Sequence, residues 1–261
     1  MKKIFNKRKG ELTTQQIVGL IILITSFLVI LFLFFRLNLG GETQKEICHN
    51  SVVLAGKGTL AKIATGGSSL NCETSYVCIS GGDKCEGINP TETIKIDLSK
   101  DDAKNEVMRA IADEMANCWW MFGEGKINYI NGFAEKANPF SKNSCAVCSI
   151  VKFDKTIQKK YSNGISYEDF VEKGLSQSKN NQENYLKYIY GVNNKADFYK
   201  KFGVIKKDVD LKKFILLKGK YMIRTGLKKG SVFGEDSVIY PSFFDVNKIP
   251  PPQCDEFITK A

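Results

Sequence analysis

The amino-acid sequence predicts an α+β protein with an N-terminal transmembrane helix, followed by a disulfide-rich external domain that ends in an antiparallel hairpin. Three observations predict this fold class. Residues 17–35 form a run of 19 residues without a charged side chain. All eight cysteines follow that run. Helix-like and strand-like segments then alternate without a fixed repeat, which is the order of an α+β fold rather than of a solenoid.

The apolar run has the length of a membrane-spanning helix. At about 1.5 Å per residue it rises roughly 28 Å, close to the hydrocarbon thickness of a bilayer, whereas the apolar region of a secretory signal has about 7–15 residues. Its polar side chains, Thr25 and Ser26, can bond to helix carbonyls, so no polar group need be unsatisfied in lipid. We therefore expect a transmembrane helix over residues 12–36, with the membrane lipid bilayer as a partner.

The flanking charges predict the orientation of this helix. Lys2, Lys3, Lys7, Arg8 and Lys9 precede the run, while Arg36 and Lys45 follow it closely. Because positive charge stays in the cytoplasm, residues 1–11 are expected to be a cytoplasmic basic tail. Residues 37–55 then form a membrane-proximal stem and residues 56–261 an external α+β domain. Leu39-Gly40-Gly41 lacks the small-residue pattern of a signal cleavage site, which favours a retained, single-pass anchor in the cell membrane.

Charge and cysteine usage agree with that topology. The chain carries +10, and half of this charge lies in residues 1–41, so the basic character is a topology signal and no nucleic-acid partner is expected. An even number of cysteines beyond the run indicates disulfides in an oxidising space, although the sequence does not choose the pairing. The candidates for disulfides are Cys48, Cys72, Cys78, Cys85, Cys118, Cys145, Cys148 and Cys254.

The elements of the external domain can be predicted in order. Residues 42–55 form a short helix, and residues 56–90 form an irregular, cysteine-rich stretch with a short strand at 77–79. A long helix begins after Ser99 as its cap and ends at Gly123, with one apolar face. That face carries Val107, Ile111, Met115, Cys118, Trp119 and Phe122. A strand at 149–153 and helices at 167–174 and 183–190 follow. Strands at 214–224 and 231–240 make the hairpin.

Cys145 and Cys148 have the spacing of a thiol–disulfide oxidoreductase motif. In such enzymes a helix N-terminus lowers the pKa of the first thiol, whereas this motif leads into a predicted strand. Structural bridges are the favoured interpretation, and redox catalysis and metal binding remain alternatives. Cys48 and His49 could also join a zinc site, but external thiolates are normally consumed by disulfides, so neither a metal nor a cofactor is expected. His49 is the only histidine, which excludes two-histidine zinc proteases. These observations favour a non-enzymatic protein with a surface-interaction or envelope role.

Residues 206–229 carry nine basic and two acidic side chains. Alternate residues of a strand share a face, so Lys218, Lys220 and Arg224 would line one side, opposite Leu217, Tyr221 and Ile223. The plain interpretation is a solvated strand face. The sharper alternative is a contact with an anionic surface or a protein partner.

The N-terminus resembles a known signal. Lys9-Gly10, the polar spacer Glu11 to Gln16 and the apolar run resemble the class III signal of archaeal type IV pilin-like proteins. The resemblance implies cleavage between Gly10 and Glu11 by a prepilin peptidase on the cytoplasmic side. It also implies that the freed apolar helix packs in the core of a filament.

Overall fold

The computed structural model describes residues 14–38, 43–56, 70–129, 143–179, 183–202, 214–228, 237–247 and 254–259 of the 261-residue chain. It divides into two compact units, residues 1–43 and residues 44–261. The predicted cytoplasmic tail and the predicted cleavage site at Gly10 and Glu11 lie outside the described residues.

The first unit contains helix α1 (Thr14–Asn38), which confirms the predicted N-terminal apolar helix. Twelve of its large apolar side chains are 44–64% exposed. The hydroxyls of Thr25 and Ser26 donate to the carbonyls of Ile21 and Leu23, four and three residues earlier. The helix is long and apolar enough to cross a membrane.

The second unit is built around a mixed sheet, which confirms an α+β fold. The strand order is β2-β1-β3-β6-β7, and β8 also pairs with β3. The strands are β1 (Ser75–Ser80), β2 (Glu92–Lys95), β3 (Asn143–Phe153), β6 (Lys220–Lys228), β7 (Ser237–Asp245) and β8 (Glu256–Phe257). Strands β1, β2 and β3 are mutually parallel, whereas β6 is antiparallel to both β3 and β7. A separate small sheet pairs β4 (Ile165–Ser166) with β5 (Phe214–Ile215).

Helices cover one face of the large sheet. Helix α3 (Ala103–Met121) is the longest of the second unit, and it packs against β6, β7 and helix α2 (Gln44–Gly56). The shorter helices are α4 (Lys155–Lys160), α5 (Tyr167–Asp169) with a following π turn (Phe170–Gly174), α6 (Tyr185–Tyr190) and α7 (Lys195–Lys201). The predicted helices at 42–55, 167–174 and 183–190 are therefore present, with shifted ends.

The predicted apolar face of α3 is confirmed, because all six of its predicted side chains are buried. Its start differs from the prediction. Ser99 does not cap the helix, since its hydroxyl donates to Asp97 and Asp102 holds the N-cap position. The adjacent tryptophans point to different neighbours: Trp119 stacks on Tyr240, and Trp120 stacks on the ring of His49 with 4.1 Å between centroids.

The predicted C-terminal hairpin is only partly correct. Strands β6 and β7 do pair, but as one side of a mixed sheet, and the chain then continues to β8, which runs parallel to β3. The predicted strand at 214–224 is broken. Its first residues form β5 in the small sheet, and a turn at 217–219 precedes β6. The Gly219 N–H donates across this turn to the Leu216 carbonyl at 3.5 Å, and the Tyr221 hydroxyl donates to the same carbonyl. Of the predicted strand at 231–240, the residues before Ser237 lie outside the described ranges.

Two predicted strands are longer in the structure. The strand at 77–79 is the centre of β1, and the strand at 149–153 is the second half of β3. Residues 57–69 of the predicted irregular stretch are not described. The described remainder of that stretch contributes β1 to the sheet.

Candidate functional site

The structure joins all eight cysteines in four disulfides, and none is free. The pairs are Cys48–Cys72, Cys78–Cys85, Cys118–Cys148 and Cys145–Cys254. Cys48–Cys72 connects α2 to the segment before β1, and Cys78–Cys85 closes the loop after β1. Cys118–Cys148 fastens α3 to β3, and Cys145–Cys254 fastens the C-terminal segment, residues 254–259, to β3. Each bond therefore ties an element of the second unit to a distant or irregular part of the chain.

This pairing contradicts a reactive dithiol at Cys145 and Cys148. The two sulfurs bond to different partners, and both cysteines are buried within β3. As strand residues, neither stands at a helix N-terminus that could lower its thiol pKa. Within the described ranges, no group of three or more histidine, cysteine or acidic side chains could hold a metal ion.

The three predicted contact residues of the basic segment do not share one environment. Lys218 and Lys220 are exposed, but Arg224 is only 1% exposed. Its guanidinium lies 4.8 Å from the centroid of the Phe244 ring, and its Nη1 is 2.9 Å from the sulfur of Cys254. The interpretation of Arg224 as a surface contact is therefore wrong, because Cys254 of the C-terminal segment and the Phe244 ring pack against its guanidinium.

A different cation joins the exposed lysines. Lys152 of β3 lies directly opposite Lys220 of β6 in the antiparallel register, and its Nζ donates to the carbonyl of Glu86. The acidic group of Glu86 is paired instead with Lys155 at 2.6 Å. Across the described chain, Lys152, Lys218 and Lys220 form no ion pair. Sequence reasoning missed Lys152 because its neighbour is 68 positions away and is set by the strand register.

Beside these lysines, an apolar row crosses four strands. The register places Tyr76, Ile150, Met222 and Phe244 side by side, and all four are half-buried. The opposite face of the same strands carries Val151, Phe153 and Tyr221, which are buried in the core. We call Lys152, Lys218, Lys220 and the apolar row the cationic sheet face. It combines positive charge with partly exposed apolar surface, a combination typical of contact surfaces.

The contact between α2 and α3 contains a buried ion pair. Lys45 lies 2.8 Å from Glu114 and 2.9 Å from Glu92, and Glu114 is 3% exposed. Burial acts to lower the pKa of Lys45, but attraction to the two carboxylates outweighs it and the pKa is raised. Asn117 also donates to Glu114 at 3.2 Å. The ion pairs of Lys45 fasten α2 to α3 and β2. The carboxylate of Glu114 thus serves a structural contact between these elements.

Asp154 lies at the end of β3, beside the end of the parallel strand β1, where α/β proteins often bind ligands. Its buried carboxylate accepts hydrogen bonds from the backbone N–H groups of Gly81, Asp83 and Ile157 and from the hydroxyls of Ser80 and Thr156. Burial acts to raise the pKa of this carboxyl, but these hydrogen bonds outweigh it and hold the pKa below its ordinary value. The carboxylate is thus occupied in capping α4 and holding the loop after β1.

No protein-family model, no curated protein and no solved structure matches the chain. Among the described residues, the buried carboxylates of Glu114 and Asp154 are bonded to other groups of the protein. The cationic sheet face, in contrast, combines partly exposed apolar side chains with lysines that form no ion pair in the described part of the chain.

Proposed function

We propose that the protein is a non-enzymatic, single-pass membrane protein whose disulfide-bonded domain lies outside the cell and contacts an anionic surface. The observation that carries this proposal is α1, a helix whose apolar side chains are exposed over most of its length. Exposed apolar surface of this extent is stable in lipid and unfavourable in water. The four disulfides support an oxidising compartment for residues 44–261, and the basic residues before the helix support a cytoplasmic N-terminus.

Labelling of lysines in intact cells tests this topology. A membrane-impermeant amine reagent should modify the exposed Lys187 and Lys200 before lysis. It should reach the tail residues Lys2, Lys3, Lys7 and Lys9 only after lysis. Labelling of the tail but not of Lys187 and Lys200 in intact cells would show that the orientation is the reverse of the proposed one. Recovery of the chain from the soluble fraction would show that α1 does not anchor it in a membrane.

The cationic sheet face supports the contact with an anionic surface. Lys152 and Lys220 are directly opposite on neighbouring strands, and like charges so placed repel each other. An anion beside them relieves this repulsion. Each lysine near an anionic membrane surface contributes up to about 1 kcal/mol, and the attraction fades beyond roughly 8 Å at physiological salt. The apolar row beside the lysines suits the boundary between headgroups and acyl chains.

Reversing two charges is expected to weaken this contact. The full chain, held in nanodiscs of neutral lipid, should co-float with added anionic vesicles but not with neutral ones. Lys218→Glu/Lys220→Glu should reduce co-flotation about tenfold or more, because two attractive charges become repulsive. Lys187→Glu/Lys200→Glu is the matched control, since both lysines are exposed on α6 and α7, and it should lose much less. Equal losses for the two variants would show that net charge alone is responsible.

A second candidate function is a subunit of a type IV pilin-like filament. The supporting observation is that α1 begins at Thr14, after the predicted cleavage point between Gly10 and Glu11, so processing would leave the whole exposed apolar helix on the mature chain. Such a helix could pack against copies of itself. N-terminal sequencing of the membrane form should then begin at Glu11. Recovery of residues 1–10 on the native chain would exclude processing.

A further inference from the structure

The C-terminal segment, residues 254–259, is attached to the sheet by one disulfide, a short strand pairing and several hydrogen bonds, and Ile258 packs against the core. Strand β8 has two residues and pairs in parallel with Ser144 and Cys145 of β3. Beyond that pairing, the N–H groups of Asp255 and Ile258 donate to the carbonyls of Asn143 and Cys145 at 2.9 and 2.8 Å. The Val147 N–H donates to the hydroxyl of Thr259 at 2.9 Å. The Cys145–Cys254 disulfide, which links positions 109 residues apart, is the covalent part of this attachment.

This segment covers an edge that the rest of the sheet leaves open. On that side of β3, strand β1 pairs only with residues 149–153. Along this edge, backbone groups of Asn143, Cys145 and Val147 pair with the C-terminal segment, and the Val147 carbonyl also accepts a hydrogen bond from the Thr74 hydroxyl at 3.1 Å. A two-residue strand is marginal without other support. Opening the disulfide would consequently free both the segment and the edge of β3.

One of the two sulfurs of this disulfide touches a buried cation. Nη1 of Arg224 lies 2.9 Å from the sulfur of Cys254. No other cysteine sulfur in the described ranges has a hydrogen bond with a charged side chain. A neighbouring guanidinium stabilises a thiolate over a thiol, so it favours the reduced form of the bond that contains it.

We propose that Cys145–Cys254 is an exchangeable disulfide, opened by an external dithiol before the other three bonds, with Arg224 stabilising the released thiolate of Cys254. Its opening detaches residues 255–259 from β3, while the thiolate of Cys254 stays beside Arg224. The edge of β3 then loses its pairing with residues 255–259, which leaves the amides that pointed to them open to exchange with solvent. This inference goes beyond the proposed anchoring and surface contact and depends on neither.

The exchange balances in two steps. Cys145 is fully buried while Cys254 is half-buried, so a thiolate of the dithiol attacks the sulfur of Cys254. The Cys145–Cys254 bond breaks, a mixed disulfide forms on Cys254, and Cys145 leaves as a thiolate that takes a proton. The second thiolate of the dithiol then attacks the dithiol's first sulfur, which is bonded to Cys254 in the mixed disulfide, and the bond to Cys254 breaks. The dithiol departs oxidised by two electrons, and Cys254 remains as a thiolate beside Arg224.

The first test is the order of reduction in the purified full chain. The chain is equilibrated with a series of dithiothreitol concentrations, freed thiols are alkylated, and each cysteine is read by peptide mass spectrometry. Cys145 and Cys254 should be half-modified at about tenfold less reductant than the other six cysteines, and amide exchange at residues 143–147 should then rise. Opening of another pair first, or unchanged exchange after selective opening, would overturn the proposal.

The role of Arg224 is tested by the pH dependence of alkylation of Cys254, because access of the reagent to the thiol changes the rate of alkylation but not the pH of its midpoint. In Cys145→Ser, which leaves Cys254 as a free thiol, the pH profile of alkylation should have its midpoint below the ordinary value of about 8.5. Adding Arg224→Gln should raise that midpoint, while Arg224→Lys should keep it low. Should the double variants fail to fold, the profile of Cys145→Ser still decides: a midpoint at or above about 8.5 would show that Arg224 does not stabilise the thiolate.

Discussion

Asp154→Ala is expected to lower the free energy of unfolding by about 4 kcal/mol, because it leaves three backbone N–H groups without their acceptor and removes the N-cap of α4. Chemical denaturation monitored by circular dichroism would measure the loss. The matched control is Asp97→Ala. Asp97 is exposed and accepts only local hydrogen bonds from Ser99, so its loss should cost far less than the loss of Asp154. Similar losses for the two variants would mean that the carboxylate of Asp154 does not organise the loop after β1.

The same carboxylate predicts a pH dependence. Its folded-state pKa is held below the ordinary value, so its ionisation stabilises the fold above the unfolded pKa of about 3.9. That contribution is lost as the pH falls through the lower, folded pKa. The stability difference between the wild type and Asp154→Asn should therefore be constant near neutral pH and shrink only in acid. A difference that shrinks on raising the pH would have the wrong sign.

Removing the Cys118–Cys148 bond is also expected to have a large effect. This bond fastens α3 to β3 and closes 30 residues, for which chain entropy corresponds to about 3.6 kcal/mol. The paired variant Cys118→Ala/Cys148→Ala should lower the unfolding free energy by roughly that amount. The matched control, Cys78→Ala/Cys85→Ala, removes another buried bond that closes only 7 residues and should cost about 2.4 kcal/mol. A larger loss in the control would mean that α3 is held mainly by its apolar face.

Local signals in the sequence predicted the features that depend on neighbouring residues. The apolar helix follows from an uninterrupted run without charge, and the buried face of α3 follows from apolar residues three and four positions apart. The N-cap of α4 by Asp154 could also have been found locally, because an aspartate directly before a helix is a common cap. Its donors in the loop after β1 could not, since they lie 71–74 positions away.

Features that depend on the pairing of distant segments were missed. The parallel arrangement of β1, β2 and β3 has no local signal, because the register between strands is set by packing in the complete sheet. The burial of Arg224 arises from contact with Cys254, 30 positions later, so strand alternation alone placed it wrongly on the surface. The cationic sheet face was therefore predicted with two of its lysines and without Lys152. The disulfide pairing likewise needed the fold.

The most direct test of the account is the intact mass of the protein extracted from its native membrane, measured before and after reduction. A retained apolar helix predicts a chain that still contains α1, starting at Met1 or, if processed, at Glu11. Full reduction should add eight hydrogens, two for each of the four disulfides. A mature chain that begins after residue 38, or a mass unchanged by reduction, would contradict a disulfide-bonded domain carried by a retained apolar helix.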